Sequence, residues 1–186
     1  MDFAIVKFFN LLGHGTILDD LSVVISYNGG YFPILLFLCL VVLFRDKLNG
    51  KKIFLAAMLA VALHFAVSDW FFKEIVPHFF EMRERPYIAH PQEIFPLGKL
   101  NTSASFPSNH MSVAVAILGV LVVYYRRYWK WAVGFVILMA FSRMHNGMHY
   151  PMDVFGGIVL GLIYSQLAVW LVEKYLLKVQ SLFSKE

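Results

Sequence analysis

The chain has 186 residues, of which 59% are hydrophobic and only 15% charged, with a mean hydropathy of +0.65. A soluble domain carries nearer a quarter charged residues, so this composition indicates a single membrane-embedded domain over 1–186. The net charge of +4 comes without a basic stripe interleaved with aromatics, which argues against nucleic acid as a partner, and the lone Cys39 rules out an intrachain disulfide or a thiolate metal cluster.

Residues 1–15 carry an early acid, Lys7 inside the apolar run and no small-x-small cleavage site, so they are expected to be retained rather than removed as a signal peptide. The apolar part, 3–12, is too short to cross about 30 Å of hydrocarbon, which predicts an interfacial or re-entrant helix. Apolar residues at 17, 18, 21, 24 and 25 have helical spacing, with Asp19 and Asp20 on the wet face. Asn28-Gly29-Gly30 reads as a break or kink, and the apolar run 31–44 is short enough that it must borrow the preceding segment or tilt. A charged loop over 45–52 leads into a full-length span at 53–72. Residues 73–109 are polar and rich in Pro and His, and are expected to be the one sizeable region outside the membrane. Further spans are expected at 111–125, at 131–141 ending on Ser142-Arg143, and at 151–172. Gly157 and Gly161 would form a close packing face in the last, and Tyr128, Trp129 and Trp131 an interfacial aromatic belt. The expected fold is an all-α integral-membrane bundle of about five spanning helices plus the N-terminal interfacial or re-entrant segment.

Lysines and arginines divide unequally between the two ends of these spans. One side holds ten, namely Arg45, Lys47, Lys51, Lys52, Arg126, Arg127, Lys130, Lys174, Lys178 and Lys185, and the other holds Lys73, Arg83, Arg85, Lys99 and Arg143. The richer side is expected in the cytoplasm, so the polar 73–109 region and the ends of its neighbouring helices would face a periplasm or the cell exterior.

Two short polar runs border apolar ones. In Pro107-Ser108-Asn109-His110, Ser108 is a good N-cap, and the amides that follow lack intrahelical partners and can take an anion at the positive end of the helix dipole. Read alone, the same run is an ordinary capped helix. In the second, His149 and Asp153 lie four apart across a helix start marked by Pro151. The carboxylate is close enough to bind one imidazole nitrogen and leave the other free to attack; equally, it could be an acid satisfying the helix dipole beside an interfacial histidine. Arg143, at the outward end of a span, is costly there unless it pairs or snorkels, and its planar fork suits phosphate oxygens. His14, His64, His90 and His145 have no such partner pattern and are read as structural or interfacial. No acidic cluster or P-loop suggests magnesium, so neither metal nor cofactor is expected.

Taken together, these motifs resemble the type 2 phosphatidic acid phosphatase superfamily, whose pattern is Lys-x6-Arg-Pro, then Pro-Ser-Gly-His, then Ser-Arg-x5-His-x3-Asp. The third element is complete as Ser142, Arg143, His149 and Asp153, and the second has Asn109 where glycine is usual. In the first, Arg85-Pro86 matches but the lysine position falls on His78, and Lys73 lies five residues too early. Either an insertion lengthens the element, or His78 or Arg83 substitutes, or the lysine role is lost. The resemblance implies that His149 is the nucleophile, forming a phosphohistidine, that Asp153 orients it, and that His110 protonates the leaving oxygen and then activates water. It further implies that Arg85, Arg143, Ser108, the amides near Asn109 and Lys73 bind the phosphate. By the same resemblance the chain would be a lipid phosphatase of the bacterial inner membrane, with the bilayer and a lipid phosphate as its partners. Small members act on undecaprenyl diphosphate, the 1-phosphate of lipid A or phosphatidylglycerophosphate, the first two suiting an outward-facing site. Vanadate-dependent haloperoxidases share the motifs but are soluble, unlike this chain. A lipid transporter or channel with a vestigial site is the reading from another class.

Overall fold

The computed structural model describes residues 1–183, so Lys185 of the basic tail lies outside the described residues. Helices α1 (Asp2–Leu11) and α2 (Ile17–Ile25) precede α3 (Asn28–Arg45) and α4 (Gly50–Leu63). The last runs on without a break as a π-helix over His64–Ile75 and a 3₁₀ turn over Val76–His78. The short α5 (Pro86–Ala89) sits within the long connection to α6 (Asn109–Tyr124), which is followed by α7 (Trp129–His145) and α8 (Pro151–Phe183). No strand occurs among the described residues, so the chain is all-helical as expected.

Three helices are long and apolar enough to cross a membrane: Asn28–Arg45, Gly50–His78 and Pro151–Leu176. Of the five spans expected, the other two correspond to α6 and α7, with 16 and 17 residues. At 1.5 Å per residue these are roughly 24–26 Å long, a little under the hydrocarbon thickness. α1, with 10 residues, is too short to span; it lies against the ends of α7 and α8.

Three boundaries differ from the sequence reading. Asn28-Gly29-Gly30 is the first turn of α3, so the span gains its length from these residues and not from α2, which stays separate. The charged loop ends early, because Lys51 and Lys52 already belong to α4. Asp46 closes that turn, its Oδ1 accepting from the amides of Leu48 and Asn49 at 3.0 and 2.8 Å and its Oδ2 from Tyr125 Oη at 2.6 Å. Finally, Lys73 is not in an external loop but on the helix that continues through the π segment.

The core lies among α4, α6 and α8. Ala56, Ala57 and Ala60 of α4 and Ala168 of α8 are small and fully buried beside Met111, Ala114, Ile117 and Val120 of α6. Small residues let helix backbones approach closely where lipid supplies no hydrophobic drive to association. The Gly157–Gly161 face does this against α6. A Cβ at Gly157 would lie 2.7 Å from Ser108 O, and one at Gly161 would lie 2.7 Å from Ser112 O. Both obstacles are backbone and cannot swing aside. Gly161→Leu is therefore expected to destabilise by about 1–3 kcal/mol or more, seen as a lower thermal midpoint of the purified protein. Gly134, in open space on α7, is the control: Gly134→Ala should hold or raise the midpoint, since alanine is favoured over glycine in a helix by about 0.5–1 kcal/mol. Equal behaviour of the two variants would refute the close α6–α8 contact.

Candidate active site

A cavity of about 880 Å³ opens at one end of the bundle, where α3, α6 and α8 begin and where α7 and the π segment end. Lys73, Arg85, Asn109, His110, Arg143 and His149 all line it, so six of the eight residues singled out in the sequence meet in one place. The other two, Ser108 and Asp153, are buried directly behind the lining. Leu97 to Thr102 form the outer wall, with Lys99 exposed on it.

The π segment explains how Lys73 arrives. Its buried residues are His64, Ser68 and Lys73. In an α-helix of 3.6 residues per turn, the nine-residue step from 64 to 73 would end on opposite faces. The i→i+5 bonding of a π-helix gives roughly 4.4 residues per turn, and the same step then returns to one face. Of the three candidates for the first-motif cation, Lys73 alone lines the cavity. His78 is exposed, and Arg83 is drawn to Asp2 and lies over the Tyr150 ring, 3.4 Å from its centroid.

Arg85 is 3% exposed and fixed by three acceptors. Nε donates to Ser103 O at 2.9 Å, Nη2 to Ser103 Oγ at 3.1 Å and Nη1 to Met148 O at 3.3 Å. Nη1 also lies 3.3 Å from His149 Nε2. Arg85 is pushed below the ordinary guanidinium range chiefly by its burial. His149 is pushed well below the usual histidine value, first by burial and then by the charges of Arg85, Arg143 and Lys73 and by His110. Its imidazole is thus neutral near pH 7, with a lone pair available.

His149 and Asp153 are neighbours but not hydrogen-bonded: Nδ1 stands 3.9 Å from Oδ2. The contact read from the four-residue spacing is therefore looser than expected, because Oδ2 is already taken. It accepts from Ser105 Oγ at 2.6 Å and from the Tyr150 amide at 2.8 Å, the second being the reach-back bond of a helix-start acid. Both readings of Asp153 thus apply, as it caps α8 and faces the imidazole.

Ser108 occupies the N-cap position of α6, but its hydroxyl makes no capping bond. Its amide donates to Asp153 O at 3.0 Å, tying the starts of α6 and α8 together. Asn109 Nδ2 donates to Asp69 Oδ1. His110 Nε2 donates to Ser26 O at 3.0 Å, which leaves the Nδ1 lone pair outside that bond, and its ring lies 5.4 Å from that of Tyr31. Five buried side-chain polar atoms lack a hydrogen-bond partner among the described residues: Ser108 Oγ, Asn109 Oδ1, Arg143 Nε, His149 Nδ1 and Asp153 Oδ1. All five belong to the motif residues. Buried polar groups are nearly always satisfied, so such a cluster marks where a polar ligand is received.

Several residues of the site escaped the sequence reading. Asp69 carried a usable signal, a carboxylate inside an apolar run. Ser103, Ser105 and the Ser26 carbonyl carried none, since each acts through a contact far along the chain. His64 lines the cavity as well, with Nδ1 at 2.8 Å from Ser112 Oγ. His145 is structural as expected, held by Phe9 O and Asp19, each at 2.8 Å.

Comparison with known proteins agrees with this geometry. Residues 50–176 match the PAP2 superfamily. The chain is 29% identical over 168 residues to undecaprenyl-diphosphatase BcrC of Bacillus subtilis, covering 88% of this chain and 80% of that protein. Among solved structures it is similar to Aquifex aeolicus LpxE, with a TM-score of 0.64, 24% identity, and coverage of 90% of this chain and 94% of that one. It is likewise similar to a transmembrane PAP2-type phosphatidylglycerolphosphate phosphatase from Bacillus subtilis, with a TM-score of 0.63, 25% identity, and coverage of 93% and 85%. With the match spanning α4 to α8 and six of the eight singled-out residues lining one cavity, the chain belongs to the PAP2 superfamily and is a membrane lipid phosphatase.

Proposed function

We propose that the chain hydrolyses a lipid diphosphate or monophosphate at the outer, periplasmic face of the bacterial inner membrane, by way of a phosphohistidine on His149. The observation that carries this reading is the gathering of Lys73, Arg85 and Arg143 around two imidazoles in one cavity. His149 Nε2, the nitrogen turned toward Arg85 rather than Asp153, attacks phosphorus as the bond to the lipid-side oxygen breaks. His110 gives a proton to that oxygen, then takes one from the water that cleaves the phosphorus–nitrogen bond and releases phosphate. Asp153 stabilises the charge that His149 acquires, while Arg85, Arg143, Lys73, Ser108 Oγ and the Asn109 region hold the phosphate oxygens. Positioning and fixed positive charge supply the catalysis, so no metal is required. Undecaprenyl diphosphate is the favoured substrate, because the BcrC relative is named for it and Lys99 offers a cation for a second phosphate. Lipid A 1-phosphate would be accepted by the same phosphate-binding groups. Phosphatidylglycerophosphate is the alternative, supported by the likeness to the Bacillus subtilis structure.

The direct test is phosphate release by purified protein from these three lipids, with EDTA present. Turnover should persist in EDTA, stop with vanadate and vanish for His149→Ala on every substrate. His110→Ala should lose less on the diphosphate than on a monophosphate, whose departing alkoxide is more basic and needs the acid more. Loss on chelation that magnesium restores would overturn the mechanism, and a transporter would release no phosphate at all.

The depressed affinity of His149 for protons sets a pH expectation. A lowered value means that the nucleophile sheds its proton at a lower pH, so the acid limb of kcat/KM should fall below pH 6.5, the ordinary histidine value. Arg85→Gln removes a repelling charge, so the limb of its residual activity should move upward. A limb at 6.5 or above in the parent, unmoved in the variant, would count against His149 as the titrating nucleophile.

Orientation is testable in intact cells. With Cys39→Ser as background, an impermeant thiol reagent should label Lys99→Cys and spare Arg127→Cys. The reverse pattern would place the cavity on the cytoplasmic side.

A further inference from the structure

A second cavity, of about 860 Å³, lies at the other end of the bundle from the catalytic one. α3 connects the two levels. Its start contributes Tyr31 to the catalytic cavity and its end contributes Arg45 to this one, a separation of roughly 21 Å at 1.5 Å per helical residue. α3 and α7 flank α6 here, and between them Leu38, Val41, Leu118, Val122 and Trp131 line an apolar groove. Leu38, Val41 and Trp131 are exposed along it, so the groove is open on its side.

Its mouth is charged and mostly positive, with three cations to one carboxylate. Arg45, Lys47 and Arg127 line it, all exposed, and none makes an ion pair among the described residues. The one acid there, Asp46, has both carboxylate oxygens engaged, by two amides and by the Tyr125 hydroxyl. Arg127 instead rests on the Tyr128 ring, 4.6 Å from its centroid. Apolar walls open to the side, beneath three cations that form no ion pair among the described residues and outnumber the single carboxylate, match the two halves of one kind of molecule.

We propose that this groove binds an anionic phospholipid of the leaflet opposite the catalytic cavity, with its phosphate between Arg45, Lys47 and Arg127 and an acyl chain along α6. Charge complementarity selects this occupant over a zwitterionic lipid, because each cation near an anionic headgroup contributes about fivefold in affinity. The site is separate from phosphate hydrolysis and does not depend on the reading of the catalytic cavity.

The test is native mass spectrometry of the delipidated full-length protein, titrated with phosphatidylglycerol or with phosphatidylcholine of the same acyl chains. The wild type should retain one phosphatidylglycerol at concentrations where phosphatidylcholine is lost. The double variant Arg45→Gln/Arg127→Gln should bind phosphatidylglycerol about 25-fold more weakly, while Arg143→Gln, altered in the catalytic cavity, should bind it as the wild type does. Val122→Trp, which fills the groove and keeps the cations, should also lose the lipid and covers the case in which the double variant fails to fold. Equal retention of the two lipids by the wild type would mean adventitious annular binding only and would overturn the proposal. Loss in Arg143→Gln with retention in the groove variants would assign the bound lipid to the catalytic cavity, with the same consequence.

Discussion

Three buried cations without a counter-ion are the constraint on which the rest of this structure depends. Lys73, Arg85 and Arg143 are 8%, 3% and 6% exposed, and none makes an ion pair among the described residues. Removing such ions from water costs several kcal/mol each even after relaxation. Arg85 recovers part of that through its bonds to Ser103 and Met148, whereas Arg143 Nε recovers nothing locally. The acids nearby are kept at one remove: Asp153 is occupied by Ser105 and Tyr150, and Asp69 by Asn109. A carboxylate in direct contact would stabilise the fold but neutralise the field that a phosphate needs. The protein thus carries a local instability that an anionic ligand would relieve, which links ligand binding to stability through the same groups proposed to bind the phosphate.

Such a charge cluster must be held by something rigid, and that is the α6–α8 contact. Gly157 lets the start of α8 lie against Ser108 O and Met111, and Gly161 repeats the approach one turn later against Ser112 and Val115. The Ser108 amide then bonds Asp153 O, so two helix N-termini are fixed side by side, one beside His110 and the other beside His149. Their positive ends add to the field of the three cations. Packing and electrostatics therefore share one cause, since larger residues at 157 and 161 would separate the helices and spread the charges.

How much of this was legible in the sequence follows from the range over which each feature acts. The second and third motifs were legible because a histidine or arginine beside an apolar run is conspicuous, and their residues do converge on one cavity. The all-helical class follows from composition and the lengths of the apolar runs. The position of Lys73 was not legible, because counting along an α-helix sends it to the wrong face and only the wider π register returns it. The Asp153 contact was half legible: spacing brought it near His149, but Ser105, supplied by a loop, takes the oxygen that would have closed the bond. Asn28-Gly29-Gly30 was read as a break because glycine weakens helices, yet α3 tolerates it in its first turn, where helices begin most easily.

The N-terminal part, which lies outside the family match, is nonetheless built into the site. Asn10, fully buried on α1, donates to Phe95 O and His145 O and accepts from the Phe95 amide, so one side chain joins the helix to the outer wall and to the end of α7. On α2, Ser22 bonds Asn146 and its carbonyl accepts from Ser142 Oγ at 2.6 Å, while Asn146 donates to Ser26 Oγ at 2.9 Å. All four residues are buried, so these bonds are strong where solvent cannot compete. They hold Ser26 in place, and its carbonyl fixes the orientation and tautomer of His110. The histidine is supplied by a motif common to the superfamily, but its orientation is set by Ser22 of α2, by Ser26 just past the end of that helix and by Asn146, within the third motif's variable stretch. Residues 1–49 are thus more than a membrane anchor: the geometry of His110, the proposed proton donor, rests on them.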